Sequence, residues 1–588
     1  MDVGKLFKLP SIPSSAMKRK GLPADLGSDK RARVDDEDAE AAGPAEEEEE
    51  DPGPLPEDPT DPPSDDEGRF FGGGLTAEQQ QILAIMDDDD DDAADERRPD
   101  EQLGDVRRQL LHFERAIAKN QEMRLKFPDA PERFITSEVD LDAEIRGLGA
   151  LTSNCALFYP ELVKHGAADL VGLLAHDNVD ISGAVVAVLS ELTDEDVLEG
   201  EAQEEDTPGP RALAALGRVL LDTQALELLV SNLGRFNDVL HAGEPSPNYQ
   251  SDVQGVYHTL SVLENLISLD ESVAPRLVAD TPLIPWLLGR MRASGFDQNM
   301  AYAGELLAIV LQSARAAPAL GAAGGIDTLL VVLARYRRRH HLDPEETEFV
   351  ENCYSTLAAA LLADENRARF LEDEGVELMV RMLRERPAAA LRALQVLDHA
   401  LGGGPALCER VVDAGGLGAL FAALMESGRR APGAADLEHL YGILSALLHG
   451  LASESSARLR LLAKFVEDEY AKTRRLLELR AATAARVDGV ERAIAAERGI
   501  LEAEGVDAAD EEELFYLRRL EGGGFALQQL DCILAWLVME DDGAAEVISR
   551  AVPRAAIAQT LAAYERSVEA AAPLREILRA LREYVEGL

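Results

Sequence analysis

The sequence predicts an all-α protein whose helices stack as a solenoid behind an acidic tail. Three observations support this prediction: apolar residues recur at helical spacing from about residue 106 onward, one pattern of helices recurs about six times, and residues 1–105 are of low complexity. A unit of two or three short helices cannot close a core alone. The units must therefore bury their apolar faces against one another, which produces a solenoid.

Recurring helical units fill the middle of the chain. In residues 181–192, apolar side chains repeat every three or four positions, which is typical of an amphipathic helix. The units begin near His165, Asp222, Asp280, Ala323, Asp373 and Ala414. Their starts lie roughly 40 to 58 residues apart, and the shorter intervals match armadillo and HEAT repeats. We expect a right-handed armadillo/HEAT-type superhelix over 165–451, with helical caps at 106–164 and 452–588.

The first 105 residues have the composition of a disordered tail. Val34 to Gly68 holds 17 Asp or Glu and no Lys or Arg, and a run of six aspartates begins at Asp87. Such a segment buries too little apolar area to offset its ordering entropy. One stretch differs: Leu75–Met86 has helical spacing, and Thr76 can N-cap it. We expect a short helix there.

Two basic clusters stand in this acidic tail, nine residues apart. They consist of Lys18, Arg19, Lys20, Lys30, Arg31 and Arg33. Six basic residues flanked by acidic runs are too few to hold nucleic acid. The spacing instead predicts a bipartite import signal and a nuclear location. A second interpretation makes the same segment an intramolecular ligand of the folded body.

The composition disfavours several classes of function. A net charge of −51 opposes phosphate and anionic membrane binding, and favours basic partners. The sequence contains no apolar run long enough for a membrane helix. The four cysteines, Cys155, Cys353, Cys408 and Cys532, form no CxxC pair, and none of the ten histidines lies in a metalloprotease motif. We therefore predict no enzyme, no cofactor and no metal site.

Three segments resemble the catenin-beta-like family of nuclear armadillo proteins. They span Phe113–Ile145, residues 173–194 and Glu511–Gln529. The resemblance follows repeat order and includes linkers and caps. It implies a non-enzymatic scaffold of the spliceosome, in the nineteen complex, that binds basic, nuclear-localisation-like segments of splicing factors. The implied partners are the cell-division-cycle 5-like protein and, in vertebrates, activation-induced deaminase.

Third helices of stacked repeats line the concave face of such a solenoid, where extended peptides bind. Aligning these helices by hand selects a set of polar residues as a candidate groove: Glu191, Glu264, Asn265, Gln312, Asp398, His399 and His449. Carboxylates there would pair with Lys or Arg, and amides with a peptide backbone. The alternative is that they are ordinary helix-surface residues. The alternative function, an importin-like transport adaptor with transport receptors as partners, would need a fuller asparagine ladder.

Two further segments leave alternatives open. The apolar stretch Leu517–Val538 predicts either the core of the C-terminal cap or a homodimer face. The basic loop Arg335–His341 is interpreted as a solvated loop, with RNA or the acidic tail as other contacts. The sequence leaves the oligomeric state open.

Overall fold

The computed structural model describes most of the chain from Arg98 onward. The described residues are 98–198, 207–238, 248–313, 315–385, 390–402, 404–426, 432–504, 511–569 and 572–587. They belong to one compact unit. Within these ranges the regular structure is helical and includes no strand, so the all-α prediction is confirmed. The acidic tail, the basic clusters and the predicted helix Leu75–Met86 lie outside the described residues.

The described chain begins with three helices. They are α1 (Pro99–Lys126), α2 (Ile135–Gly147) and α3 (Cys155–His165). Pro99 occupies the first turn of α1, where its missing N–H costs nothing. The side chain of Asn154 accepts from the Leu157 N–H and caps α3. Short 3-10 segments, Pro131–Arg133 and Leu148–Asn154, make the two connections.

Six helix triplets follow among the described residues, and α3 opens the first. The other first helices are α6 (Pro208–Asp222), α9 (Val273–Asp280), α12 (Ala316–Ala322), α15 (Asp364–Glu372) and α18 (Pro405–Asp413). The second helices are α4 (Ala167–Leu173), α7 (Ala225–Leu233), α10 (Leu283–Met291), α13 (Gly325–Tyr336), α16 (Gly375–Glu385) and α19 (Gly416–Met425). The third helices are α5 (Val179–Thr193), α8 (Tyr249–Leu269), α11 (Gln298–Val310), α14 (Pro344–Ala360), α17 (Arg392–Leu401) and α20 (Ala434–Gly450). This is an armadillo-type α-solenoid, as predicted.

The sharp turn between first and second helices uses left-handed backbone in four repeats. Gly324 and Gly415 both have φ of +74°, which glycine adopts without a Cβ clash. At the equivalent positions Gln224 and Glu374 have φ of +62° and +58°. The geometry of the turn is therefore kept even where its usual residue is absent.

The third helices pack against one another in chain order. The series runs from α2 through α5, α8, α11, α14, α17 and α20, and apolar side chains such as Leu189, Leu263 and Leu306 are fully buried along it. Burial of a leucine or valine contributes about 1.5–3 kcal/mol each, so this layer supplies much of the stability.

Six helices follow in the described residues after Ser455: α21 (Ser456–Glu504), α22 (Glu512–Arg519), α23 (Phe525–Glu540), α24 (Asp542–Ala551), α25 (Arg554–Ser567) and α26 (Pro573–Gly587). A bend at Glu467–Tyr470 divides α21, and a π-helical turn, Leu520–Gly524, joins α22 to α23. The cap and repeat boundaries stay predictions, since helix bounds alone do not delimit folding units.

The apolar helix α23 is a core element of this region. Leu530, Ile533 and Leu534 are fully buried, and α23 packs against α20, α21 and α25. The stretch Glu512–Glu540 is long and apolar enough to cross a membrane by length and composition, but most of that window is buried inside the protein. Core packing therefore accounts for its apolarity, in line with the first of the two sequence interpretations.

Candidate peptide-binding surface

The exposed side of the serial third helices, α5, α8, α11, α14, α17 and α20, is here called the third-helix face. Polar side chains join neighbouring helices across it. Arg392 on α17 lies 3.5 Å from Glu351 on α14 and 3.8 Å from Asp436 on α20. The face thus carries carboxylates from several repeats, and some of them already have an internal cationic partner.

The structure places the groove candidates near the carboxyl ends of the third helices. Glu191 lies in the last turn of α5, Asp398 and His399 in the last turn of α17, and His449 next to the end of α20. Gln312 falls just beyond α11, in an exposed turn. The set therefore follows one edge of the face and not its middle.

Carboxylates at helix carboxyl ends face the negative end of the helix dipole, which disfavours them by about 0.3–1 kcal/mol each. The hydrogen bonds between Ser190 and Ser261 (2.9 Å) and between Asn265 and Thr193 (3.1 Å) join the last turn of α5 to the carboxyl half of α8. These two helices therefore point the same way, and their negative ends add. Such an edge attracts a cationic ligand.

Asn265 belongs to the candidate surface, and its side chain also binds the neighbouring helix α5. Its Nδ2 donates to the Ser190 carbonyl (3.3 Å) and to Thr193 Oγ1 (3.1 Å), both on α5. These bonds use the amide donors that a peptide backbone would need. Asn265 therefore fastens one repeat to the preceding one.

Glu264 is half-buried and bridges to the next repeat. The Tyr302 hydroxyl on α11 donates to Glu264 Oε2 at 2.5 Å. Burial and this carboxylate raise the pKa of Tyr302 well above its usual value. Through this hydrogen bond Glu264 helps to orient α11.

Asp398 and His399 meet a residue that the sequence did not indicate. His439 on α20 lies with Nδ1 3.0 Å from Asp398 Oδ2, and its ring centroid is 6.0 Å from that of His399. A Cβ on Gly442 would lie 2.2 Å from Asp398 Oδ1, so glycine makes room for the carboxylate. His449 is separate: its Nδ1 donates to the Ser445 carbonyl at 2.8 Å.

A cavity of about 500 Å³ opens between α2, α5 and α8. Charged and polar side chains line it, namely Asp142, Arg146, Asp180, Gln254 and His258. Arg146 pairs with Asp142 at 2.8 Å, and these carboxylates raise the pKa of Arg146, chiefly through that hydrogen bond. Small residues at Gly183 and Ala187, four apart on α5, leave the space.

We expect His258 to make stability pH-dependent. Burial lowers its pKa below the ordinary value of 6.5, and Arg146 adds to this. The unfolded chain therefore binds the proton more readily than the folded chain does. The contribution of His258 to the free energy of unfolding is fully present above about pH 6.5 and is lost as the pH falls below that value. Urea unfolding between about pH 7 and pH 5 should show a shallower decline for His258→Gln than for the native chain. His112→Gln, at an exposed position, is the control and should follow the native chain. Equal slopes for both variants would remove His258 as the cause.

Comparison with known proteins bears directly on this fold. The model of a family described as "Catenin-beta-like, Arm-motif containing nuclear" matches residues 80–561. The chain belongs to the catenin-beta-like family. Among catenin-beta-like relatives, human Beta-catenin-like protein 1 is 36% identical over 440 residues, covering 73% of this chain and 75% of the human one. The Schizosaccharomyces pombe homolog is 31% identical over 490 residues, covering 82% and 79%.

Solved structures include two engineered neighbours of this catenin-beta-like chain. An engineered protein aligns with a TM-score of 0.41 at 15% identity, covering 76% of this chain and 95% of its own. A designed armadillo repeat protein in complex with the peptide (KR)4 aligns with a TM-score of 0.35 at 13% identity, covering 48% and 99%. Membership of the catenin-beta-like family supports a role in protein interaction.

Proposed function

We propose that this protein is a non-enzymatic nuclear scaffold of the spliceosome that binds basic linear motifs of splicing factors on its third-helix face. The observation that carries the proposal is the row of carboxylates at the ends of third helices. Glu191, Glu264 and Asp398 come from three different repeats. Glu191 and Asp398 lie in last turns, where the helix dipole already favours positive charge, and Glu264 lies just before the last turn of α8. The family's nuclear description and the resemblance to spliceosome-associated relatives supply the cellular setting.

An extended chain suits this surface because its basic side chains can meet carboxylates in successive repeats. Each exposed pair contributes only about 0.2–1 kcal/mol, so affinity must come from several pairs together. A compact basic domain would reach fewer of them. Nuclear-localisation-like segments, which are short and rich in Lys and Arg, have the required form.

The internal role of Asn265 supports a scaffold over an importin-like adaptor. Two of its hydrogen bonds hold α5, and Gln312 lies beyond the helix. A peptide backbone would therefore find few free amides along this edge. Recognition by charge, with partners among splicing factors, fits these side chains better than recognition by an asparagine ladder.

Charge reversal tests the surface. The variant Glu191→Lys, Glu264→Lys, Asp398→Lys should bind a synthetic peptide of residues 17–34 at least about tenfold more weakly, since three attractive pairs become repulsive. Fluorescence anisotropy near physiological salt measures the affinity. The peptide is a convenient basic probe drawn from the chain itself.

A matched control changes the same net charge on another part of the solenoid. Glu227, Glu365 and Glu409 are exposed and lie on first or second helices. Reversing these three to lysine should change the affinity less than threefold or so, because screened charges that are remote from the ligand contribute little. Equal losses in both triple variants would mean that only overall charge matters, and would overturn the assignment to the third-helix face.

The cellular part of the proposal has its own test. Affinity purification from nuclear extract with the native chain should recover splicing factors that carry basic segments. The triple variant Glu191→Lys, Glu264→Lys, Asp398→Lys should not recover them. Transport receptors in place of splicing factors would support the adaptor function instead.

A further inference from the structure

Within the part of the chain that the structure describes, a cluster of His and Asp side chains lies on the third-helix face, where α17 meets α20. It consists of Asp398, His399 and His439, all half-buried. One ligand atom from each residue lies within 4.8 Å of the other two. The members come from adjacent repeats, 398 and 439 being 41 positions apart.

We propose that Asp398, His399 and His439 form a site for a divalent transition-metal ion, with Zn²⁺ as its best fit. Two imidazoles and one carboxylate are common zinc ligands, at about 2.0–2.2 Å from the ion. Two ligand atoms on a tetrahedral ion are then roughly 3.3 Å apart. The 3.0 Å between His439 Nδ1 and Asp398 Oδ2 is close to that separation. Without metal this contact is a hydrogen bond, and its proton would be released to solvent when the ion binds.

A backbone hydrogen bond selects which ring nitrogen of His399 would bind a metal ion. Its Nδ1 lies 3.0 Å from the Gln395 carbonyl oxygen. A carbonyl can only accept, so in the neutral ring Nδ1 carries the proton and Nε2 is the nitrogen that would bind an ion. A backbone hydrogen bond of this type fixes the tautomer of metal-binding histidines in many proteins.

Gly442 on α20 leaves space for the Asp398 carboxylate. Because α20 has no side chain there, the Asp398 carboxylate can approach the helix and stay beside His439. An ion held by α17 and α20 would join two repeats. Three protein ligands leave a fourth position open to water, the arrangement of zinc sites that exchange a ligand.

Metal titration of the full chain, freed of metal with a chelator, tests the site. Zn²⁺ binding is measured in competition with a chromophoric chelator, and Co²⁺ serves as a spectroscopic probe, since four-coordinate Co²⁺ absorbs far more strongly than hydrated Co²⁺. Ions held loosely by the acidic runs would keep the weak hydrated spectrum. We expect one strongly absorbing Co²⁺ per chain.

Substitutions at the three residues should weaken Zn²⁺ binding at least tenfold: Asp398→Asn, His399→Ala and His439→Ala. His439→Cys, which keeps a zinc ligand, should retain tight binding and show sulfur-to-cobalt charge transfer. His112→Ala, at an exposed position on α1 and outside the cluster, should bind like the native chain. Far-UV circular dichroism of each metal-free variant separates loss of ligand from loss of fold.

Two results would overturn the proposal. One is an unchanged Zn²⁺ affinity in a folded His439→Ala variant, which would place the ion elsewhere. The other is a Co²⁺ spectrum that stays that of the hydrated ion up to millimolar metal.

Discussion

Replacing Arg458 with methionine is expected to destabilise the C-terminal helices by about 3–5 kcal/mol, the usual cost of removing one partner from a buried charged network. Arg458 is 2% exposed. Its guanidinium donates to the carbonyl oxygens of Leu448 and Leu451 at the end of α20, and to Glu540 at the end of α23. It also lies 4.8 Å from the ring centre of Trp536.

The expected size follows from what the methionine would leave behind. Two carbonyls at the carboxyl end of α20 would lose their donor, and a buried unsatisfied group costs about 1–3 kcal/mol. The cation–π contact adds about 0.5–2 kcal/mol. Glu540 is partly exposed and can turn toward water, so its loss is smaller.

Replacing one of the chain's two tryptophans lets the fluorescence report on the region around the other. Trp286 lies on α10 in the repeats and Trp536 on α23. In a Trp286→Phe background, urea unfolding followed by fluorescence reports the region around Arg458. The control is Arg460→Met, which removes a half-exposed ion pair with Asp413 and should cost less than about 1 kcal/mol. Similar losses for the two variants would show that Arg458 is no more than a surface cation.

The fold was predictable from the sequence because its signals are local. Helical spacing within ten to twenty residues, and the recurrence of one pattern, depend on the backbone period and on the need of each unit for a neighbour. The turns between first and second helices keep their geometry with different residues, because Gln224 and Glu374 adopt the left-handed conformation that glycine has at 324 and 415. The pattern of the stack therefore does not depend on any single residue.

The candidate site was predictable only in part, because its contacts join distant residues. The sequence assigned Glu191 and Asp398 to third helices, and only the structure shows that they lie in the last turns of α5 and α17. The approach of His439 to Asp398 depends on how α20 packs against α17, and nothing near position 439 signals it. Arg458 illustrates the same limit: an arginine in a polar segment gives no sign that its guanidinium fits a buried helix end.

The pair Arg480 and Asp531 should show a large energetic coupling. Asp531 on α23 is fully buried, and Arg480 on α21 is 9% exposed. The guanidinium donates twice to the carboxylate, with Nε to Oδ1 at 2.5 Å and Nη2 to Oδ2 at 3.0 Å. This bidentate geometry is the strongest form of the interaction and fixes α21 against α23.

Either single substitution, Arg480→Met or Asp531→Leu, is expected to cost about 3–5 kcal/mol, because each leaves one buried charge without its partner. The double variant should recover most of that loss, since two apolar side chains of similar size remove the desolvation penalty altogether. Urea unfolding of the four proteins, each in the Trp286→Phe background and followed by Trp536 fluorescence and by circular dichroism, gives the coupling energy.

An exposed pair in the same region provides the comparison. Arg550 and Glu546 lie one turn apart on α24, and both are well exposed. Their coupling in the same type of cycle should be about 0.3–0.5 kcal/mol. If the Arg480–Asp531 double variant were as unstable as the sum of its singles, the two side chains would act independently. The contact between α21 and α23 would then rest on apolar packing alone. A coupling several times that of the exposed pair would instead show that this buried ion pair selects how the long helix α21 packs on the end of the solenoid.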